Sequence, residues 1–199
     1  GTLGILTEIS VKVLPIPEKE ETQVLQCTQA EALDTLIRIG RRPYPVSAAS
    51  WIGGSLYVRL SGAASGVESA ALAIGGETLK DASEFWSSLR DMTANEFNSG
   101  KEWLWRISVA PTTPADAVDA FCFDWAGGQR WITASPNDLS PFELAARIGG
   151  HATCFARDRD SGTGMQPLES GILRLNQRVK DAMDPHGLIN RGRVLEEAH

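Results

Sequence analysis

The sequence predicts an α+β fold, an antiparallel sheet covered by helices and built from two βαββ-like halves. Three observations carry this prediction. Segments such as "SLYVRL" and "WLWRISV" alternate apolar and polar residues with the two-residue period of a half-buried strand. Between such segments lie stretches with apolar residues at helical spacing that stop at glycine. The second half of the chain then repeats the strand and helix order of the first.

Taken in order, residues 4–14 read as a strand, with Ile5, Leu6, Ile9, Val11 and Val13, closed by "PIP". Thr22–Cys27 reads as another. Thr28 and Glu31 then have the spacing of a capping box for a helix whose apolar face is Leu33, Leu36 and Ile37, ending at Gly40. In "SLYVRL", Leu56, Val58 and Leu60 share one face, Tyr57 and Arg59 the other. A helix through Val67, Ala71 and Ile74 follows, stopped by Gly75 and Gly76. Asp81 and Glu84 suggest a second capping box ahead of "FWSSLRDM".

"WLWRISV" places Trp103, Trp105, Ile107 and Val109 opposite Leu104, Arg106 and Ser108. "PTTPADAVDAFC" reads as a proline-started helix, "QRWITA" as a strand, "PFELAARIGG" as a helix and "HATCFAR" as a strand. A long final helix from Pro167 carries Leu168, Ile172, Leu175 and Val179. "DPHGLIN" follows as a turn, with Gly187 where a positive φ is required. Asn190, a polar amide between Ile189 and Arg191, anchors a turn or a ligand.

The composition excludes several classes. With 42% hydrophobic and 22% charged residues the chain is globular rather than disordered. Its formal net charge is −6 and its basic residues are dispersed, which argues against nucleic acid as a partner. No apolar run is long enough to span a bilayer, and no signal peptide is visible. Cys27, Cys122 and Cys154 lack CxxC spacing and read as reduced, mostly buried thiols of a cytoplasmic protein. His151, His186 and His199 form no metal-ligand spacing, so no metal is expected. Gly1 is no native start, so the chain is expected to be a piece of a longer one.

Two candidate polar groups remain. Arg106 shares a strand face with Ser108, which reads as a solvated face or as an anion contact, since a guanidinium suits carboxylate or phosphate. His151 opens an apolar strand, where a hydrogen-bonded structural residue is the commoner role. Trp125, Arg130 and Trp131 in "FDWAGGQRWI" read as core packing or as a stacking group.

The two ends carry a resemblance. "GTLGILTEISVKVLP" resembles the segment that closes the FAD-binding domain of FAD-linked oxidases of the vanillyl-alcohol oxidase type. "DPHGLINRGRVL" resembles that family's last motif, with Arg191 in place of the usual proline and Arg193 in place of the lysine. "LWRISV", "DWAGGQRW" and "GGHATCFAR" resemble, within that superfamily, the FAD-binding subunits of bacterial glycolate oxidases. The resemblance extends over essentially the whole chain.

It implies a ferredoxin-like, C-terminal domain of the FAD-linked oxidase type that roofs the flavin. Residues 1–15 would end the FAD-binding domain, 16–183 would form the substrate domain, and 184–199 would return toward the FAD domain. It also implies FAD in the intact subunit and none in this piece, with Gly4, Ile5 and Asn190 close to the flavin. The activity implied is oxidation of glycolate, a small 2-hydroxy acid, to glyoxylate, in a complex with a catalytic flavin subunit and an iron–sulfur subunit. That complex would be cytoplasmic, with a peripheral position on the inner membrane. Arg106, or less favourably Arg130, would hold the substrate carboxylate, and His151 stays a candidate. The metal-binding, histidine-rich string of catalytic relatives is absent. The alternative is a non-catalytic docking module for the partner subunits.

Overall fold

The computed structural model describes residues 1–97, 103–135, 140–155 and 164–193. It has two compact units, Pro15–Phe155 and the described parts of Gly1–Leu14 with Ala156–His199.

The larger unit is one antiparallel sheet of eight strands with helices, an α+β fold. Its first half runs β1 (Lys19–Gln26), α1 (Gln29–Gly40), β2 (Val46–Ile52), β3 (Ser55–Gly62), α2 (Ala64–Ile74) and β4 (Glu77–Thr78). The strand order β4-β1-β3-β2 is that of a ferredoxin-like βαββαβ unit. α1 starts where the sequence places it. The Thr28 hydroxyl accepts from the Glu31 backbone N–H, and the Glu31 carboxylate accepts from the Thr28 N–H, so both halves of the capping box are closed. Leu56, Val58 and Leu60 on β3 are fully buried against Leu33, Leu36, Val67 and Ala70 of the two helices.

After α3 (Ala82–Arg90), the second half runs β5 (Trp103–Ser108), β6 (Cys122–Asp124), β7 (Gln129–Ala134), α4 (Ser140–Arg147) and β8 (His151–Cys154). Its order β6-β7-β5-β8 repeats the first half with one element replaced. The helix expected over "PTTPADAVDAFC" is a single 3-10 turn at Ala115–Ala117. Pro111 and Pro114 donate no backbone N–H, and the carbonyls of Thr113 and Pro114 are claimed by the Arg130 side chain rather than by a helical ladder. α4 covers Trp105, Ile107, Ala152 and Cys154 on the same layer as a second core.

The halves meet where β2 pairs with β6, through Ser50 with Asp124, Trp51 with Phe123 and Ile52 with Cys122. Phe123, from the second half, is fully buried in the first half's core and stacks on Trp51 at 5.7 Å. Gly127 fixes the fit of the β6–β7 turn onto α1. Its φ is +85°, and a Cβ there would collide with the Leu33 side chain.

Other expectations change. Residues 4–14 form no strand. Among the described residues no strand pairs with them, and Ile5, Leu6, Ile9, Val11 and Val13 are exposed. The second capping box is not made either: Asp81 has a left-handed backbone, φ 56°, and its side chain caps nothing, although α3 forms. In "HATCFAR" the strand ends at Cys154, and Ala156 and Arg157 lie outside the described residues.

In the smaller unit, α5 (Ser170–Met183) begins three residues later than Pro167 predicts, after an extended Glu169. Ile172, Leu175 and Val179 lie on it at helical spacing and are exposed. Cys27, Cys122 and Cys154 are in no disulfide, and the last two are buried. No helix among the described residues is long and apolar enough to cross a membrane.

Candidate functional site

The layer of α1, α2 and α4 covers one face of the sheet. On the opposite face α3 covers only part. Phe85 stacks on Tyr57 of β3 with ring centroids 3.9 Å apart, and the Trp86 indole N–H donates to the Thr22 hydroxyl at 3.0 Å. Beside α3 lies a cavity of about 1040 Å³, lined among others by Arg59, Trp86, Arg106, Asp124, Trp125, Trp131 and Phe155.

Strand register brings its polar groups together. On β5, alternation turns Trp105 and Ile107 into the core under α4 and Arg106 to the other face. Arg106 stands opposite Trp131 of β7 on one side and Thr153 of β8 on the other. Its guanidinium lies 4.9 Å from the Phe155 ring centroid and 6.0 Å from that of Trp131, so two aromatic faces hold the cation. Asp124 ends β6, opposite Gln129 of β7 and Ser50 of β2.

On residues that line this cavity, Arg106 Nε, Asp124 Oδ1 and Trp131 Nε1 are buried and make no close hydrogen bond, although the Trp131 indole lies near enough to Asp124 to favour its charged form. Each such atom costs roughly 1–3 kcal/mol, and folded proteins keep few of them. Burial pushes the Asp124 carboxyl up to about 6, against the opposing pull of the nearby Trp131 indole and the Arg106 charge. The carboxylate and the guanidinium sense each other yet form no direct ion pair.

The β6–β7 turn adds backbone strain. Trp125, Ala126 and Gly127 are successive residues with positive φ, 51°, 54° and 85°. The left-handed region is unfavourable for the first two by about 1 kcal/mol or more apiece. The turn leaves the Trp125 ring 75% exposed at the cavity wall.

The other sequence candidates stand elsewhere. His151 opens β8 opposite Ser108; it is exposed and does not line the cavity. Arg130 is fully buried and points away from it, donating to the carbonyls of Pro114 at 2.6 Å, Gly127 at 3.3 Å and Thr113. Its donors are committed to backbone, so it does not hold a substrate. Sequence reasoning missed Asp124 because its three-residue strand is too short for a periodic pattern. Its position directly before "WAGG" was the available signal.

In the smaller unit the two ends of the described chain meet. Lys180 Nζ donates to Thr2 O at 2.6 Å and to Ile189 O at 2.8 Å, and pairs with Asp184 at 2.5 Å. The Asp184 carboxylate also accepts the backbone N–H groups of Leu188 and Ile189. Lys180 first, and those N–H groups next, hold its carboxyl well below the usual carboxylate range. Asn190, at φ 44°, donates to Gly1 O at 2.5 Å. Gly187 has the positive φ its position predicts, 56°. Ile5 is exposed, and a Cβ at Gly4 would meet only open space.

For a metal, no group of three His, Cys, Asp or Glu that could hold one exists among the described residues. For a flat, acceptor-rich cofactor or a small acid the fit is better. The cavity offers aromatic faces and, on one wall, a guanidinium held between two of them.

The class these features define is an α+β domain of two fused ferredoxin-like halves with a polar pocket on its sparsely covered sheet face. No family model matches the chain. It is similar to the glycolate oxidase subunit GlcE of Escherichia coli (strain K12), at 34% identity over 198 residues, 99% of this chain and 55% of that protein. The chain thus spans little more than half the length of that relative.

Proposed function

We propose that this chain is the C-terminal part of an FAD-binding glycolate oxidase subunit. It would act in the oxidation of glycolate to glyoxylate beside a catalytic flavin subunit and an iron–sulfur subunit, in the cytoplasm and peripherally at the inner membrane. The observation that carries the reading is the Arg106 guanidinium held between two aromatic rings on the open sheet face, in a chain similar to GlcE over nearly all its length. Bound FAD supplies hydride acceptance. The chain's own residues supply the rest. Arg106 binds the substrate carboxylate, and the Trp131 and Phe155 rings orient the guanidinium and exclude water around it. Gly4 and Ile5 present backbone to the flavin, and the Asn190 tie to Gly1 holds that segment in place.

The test uses the full-length protein. Glycolate should bleach its bound flavin, and Arg106→Met should raise the glycolate concentration needed by about 100-fold, as loss of one charged hydrogen bond predicts. A bound flavin that ignores glycolate would refute the catalytic reading. It would favour a docking module, which the exposed apolar rows at Ile5–Val13 and along α5 also suit.

A further inference from the structure

The smaller unit has an inverted interior. Along α5 the apolar side chains of Ile172, Leu175 and Val179 are exposed, whereas the Lys180 and Asp184 side chains keep only 14% and 5% of their surface in solvent. Among the described residues of that unit, Asp184 is the one buried residue. Taking a charged pair out of water returns little stability, and the best-attested use of such a pair is to fix register. An ordinary (i, i+4) pair on a helix surface uses one proton of the ammonium and leaves the other two to water. Lys180 spends all three on the protein: on the Asp184 carboxylate at 2.5 Å, on Ile189 O at 2.8 Å and on Thr2 O at 2.6 Å.

These acceptors come from three places in the chain. Asp184 closes α5 and accepts the N–H groups of Leu188 and Ile189, which shapes the turn after the helix. Ile189 belongs to that turn. Thr2 lies 178 residues before Lys180. Asn190, at the end of the turn, adds a second tie beside the first, to Gly1 O. Both ties reach backbone carbonyls, so what they fix is the path of the main chain at residues 1–2.

We propose that Lys180 is a positioning residue for the flavin site, holding the opening segment so that the backbone of Gly4 and Ile5 is in place before the cofactor arrives. The proposal rests on the reading above, which sets those two residues against the flavin. With its three protons committed, the ammonium has none for the cofactor and acts through the main chain. Held at Thr2, Gly4 and Ile5 start from a fixed point two residues away. Freed, the segment would have to be ordered each time FAD binds, and that entropy cost would come out of the affinity.

The experiment uses the full-length protein, stripped of FAD and then titrated with it. Isotope labelling of threonine carbonyls and leucine amides picks out the Thr2–Leu3 peptide, assigned by its loss in Thr2→Ser. Lys180→Met has similar length and no charge. It should shift that resonance in the cofactor-free protein and raise the Kd for FAD about 10-fold or more, the worth of one charged hydrogen bond. The absorption of the flavin that still binds should move toward that of free FAD, with circular dichroism showing the variant folded. Asn190→Ala should cost less FAD affinity in the Lys180→Met background than in the unmodified protein, because both ties hold one segment. Additive losses, or an unshifted Thr2–Leu3 resonance, overturn the proposal. Should Lys180→Met misfold, Asp184→Asn, which removes the paired charge, should move the same resonance and the same Kd in the same direction by less. A folded full-length protein that takes up no FAD overturns the flavoprotein reading together with this use of the tie. FAD uptake indifferent to Lys180 overturns the proposal alone.

Discussion

The two halves of the sheet share one strand order and are completed by different means. In the first, α1 packs on β2 and the shared core, is capped at its start and buries Leu33, Leu36 and Ile39. In the second, the corresponding place holds a 3-10 turn, and the side chain of Arg130 binds the carbonyls that a helix would have used itself. Backbone hydrogen bonding must be satisfied either way. A helix does it with its own ladder, and the second half does it with one buried cation. The difference teaches that strand order survives the loss of a covering helix when a side chain takes over its carbonyls.

The largest expected effect comes from breaking what joins the halves. Phe123→Ala should cost about 4 kcal/mol, since it empties a fully buried ring site in the first half's core from a strand of the second. Urea unfolding should show it, and both halves should melt together; separate transitions would mean that they are independent. Next comes Arg130→Met, which leaves the carbonyls of Thr113, Pro114 and Gly127 without their donor. The expected loss is about 3 kcal/mol, with faster amide exchange in 110–121. An unaffected loop would show that the cation is not its closure.

Asp124 works in the opposite direction. Its carboxyl takes up a proton at about 6 in the folded chain and near 3.8 in the unfolded one, so the folded state binds more protons between these values. Its contribution to stability falls as pH rises through this window. Asp124→Asn should therefore stabilise the protein at pH 7 by up to about 3 kcal/mol, and the advantage should vanish near pH 4. Paired unfolding curves of the two proteins across that range check the sign. Asp184 in the smaller unit is shifted the other way by Lys180, so its stabilisation is lost in acid.

The smallest effect tests α1 itself. Thr28→Ala should cost about 1 kcal/mol by opening a capping box made on both sides. Asp81→Ala, at the box that does not form, should cost no comparable cap energy. Equal losses at the two sites would contradict the capping geometry.

Much of this was legible before the structure. β3, β5 and β7 alternate cleanly, and each of α1, α2 and α4 ends near a glycine. β2 was not, because "VSAASWI" begins with small residues that give no two-residue contrast, and β6 is three residues long. Residues 4–14 have strand-like composition but lack a pairing partner among the described residues, which composition does not report. The face of Arg106 followed from alternation alone. That it shares a cavity with Asp124 and Trp131 depended on a long-range register that local pattern does not encode.

The buried Arg130 has a second consequence. Burial lowers its proton affinity, with no neighbouring carboxylate to offset the cost. One arginine thus lies beneath the second half of the sheet, and another, Arg106, lies above it. In a protein whose overall charge is negative, these two place positive charge on both faces of β5 and β7. At interior dielectric values a charge roughly 10 Å below the surface still contributes on the order of 1 kcal/mol to an anion resting on top. A residue needed to close a loop on one side thereby biases the opposite side toward acids.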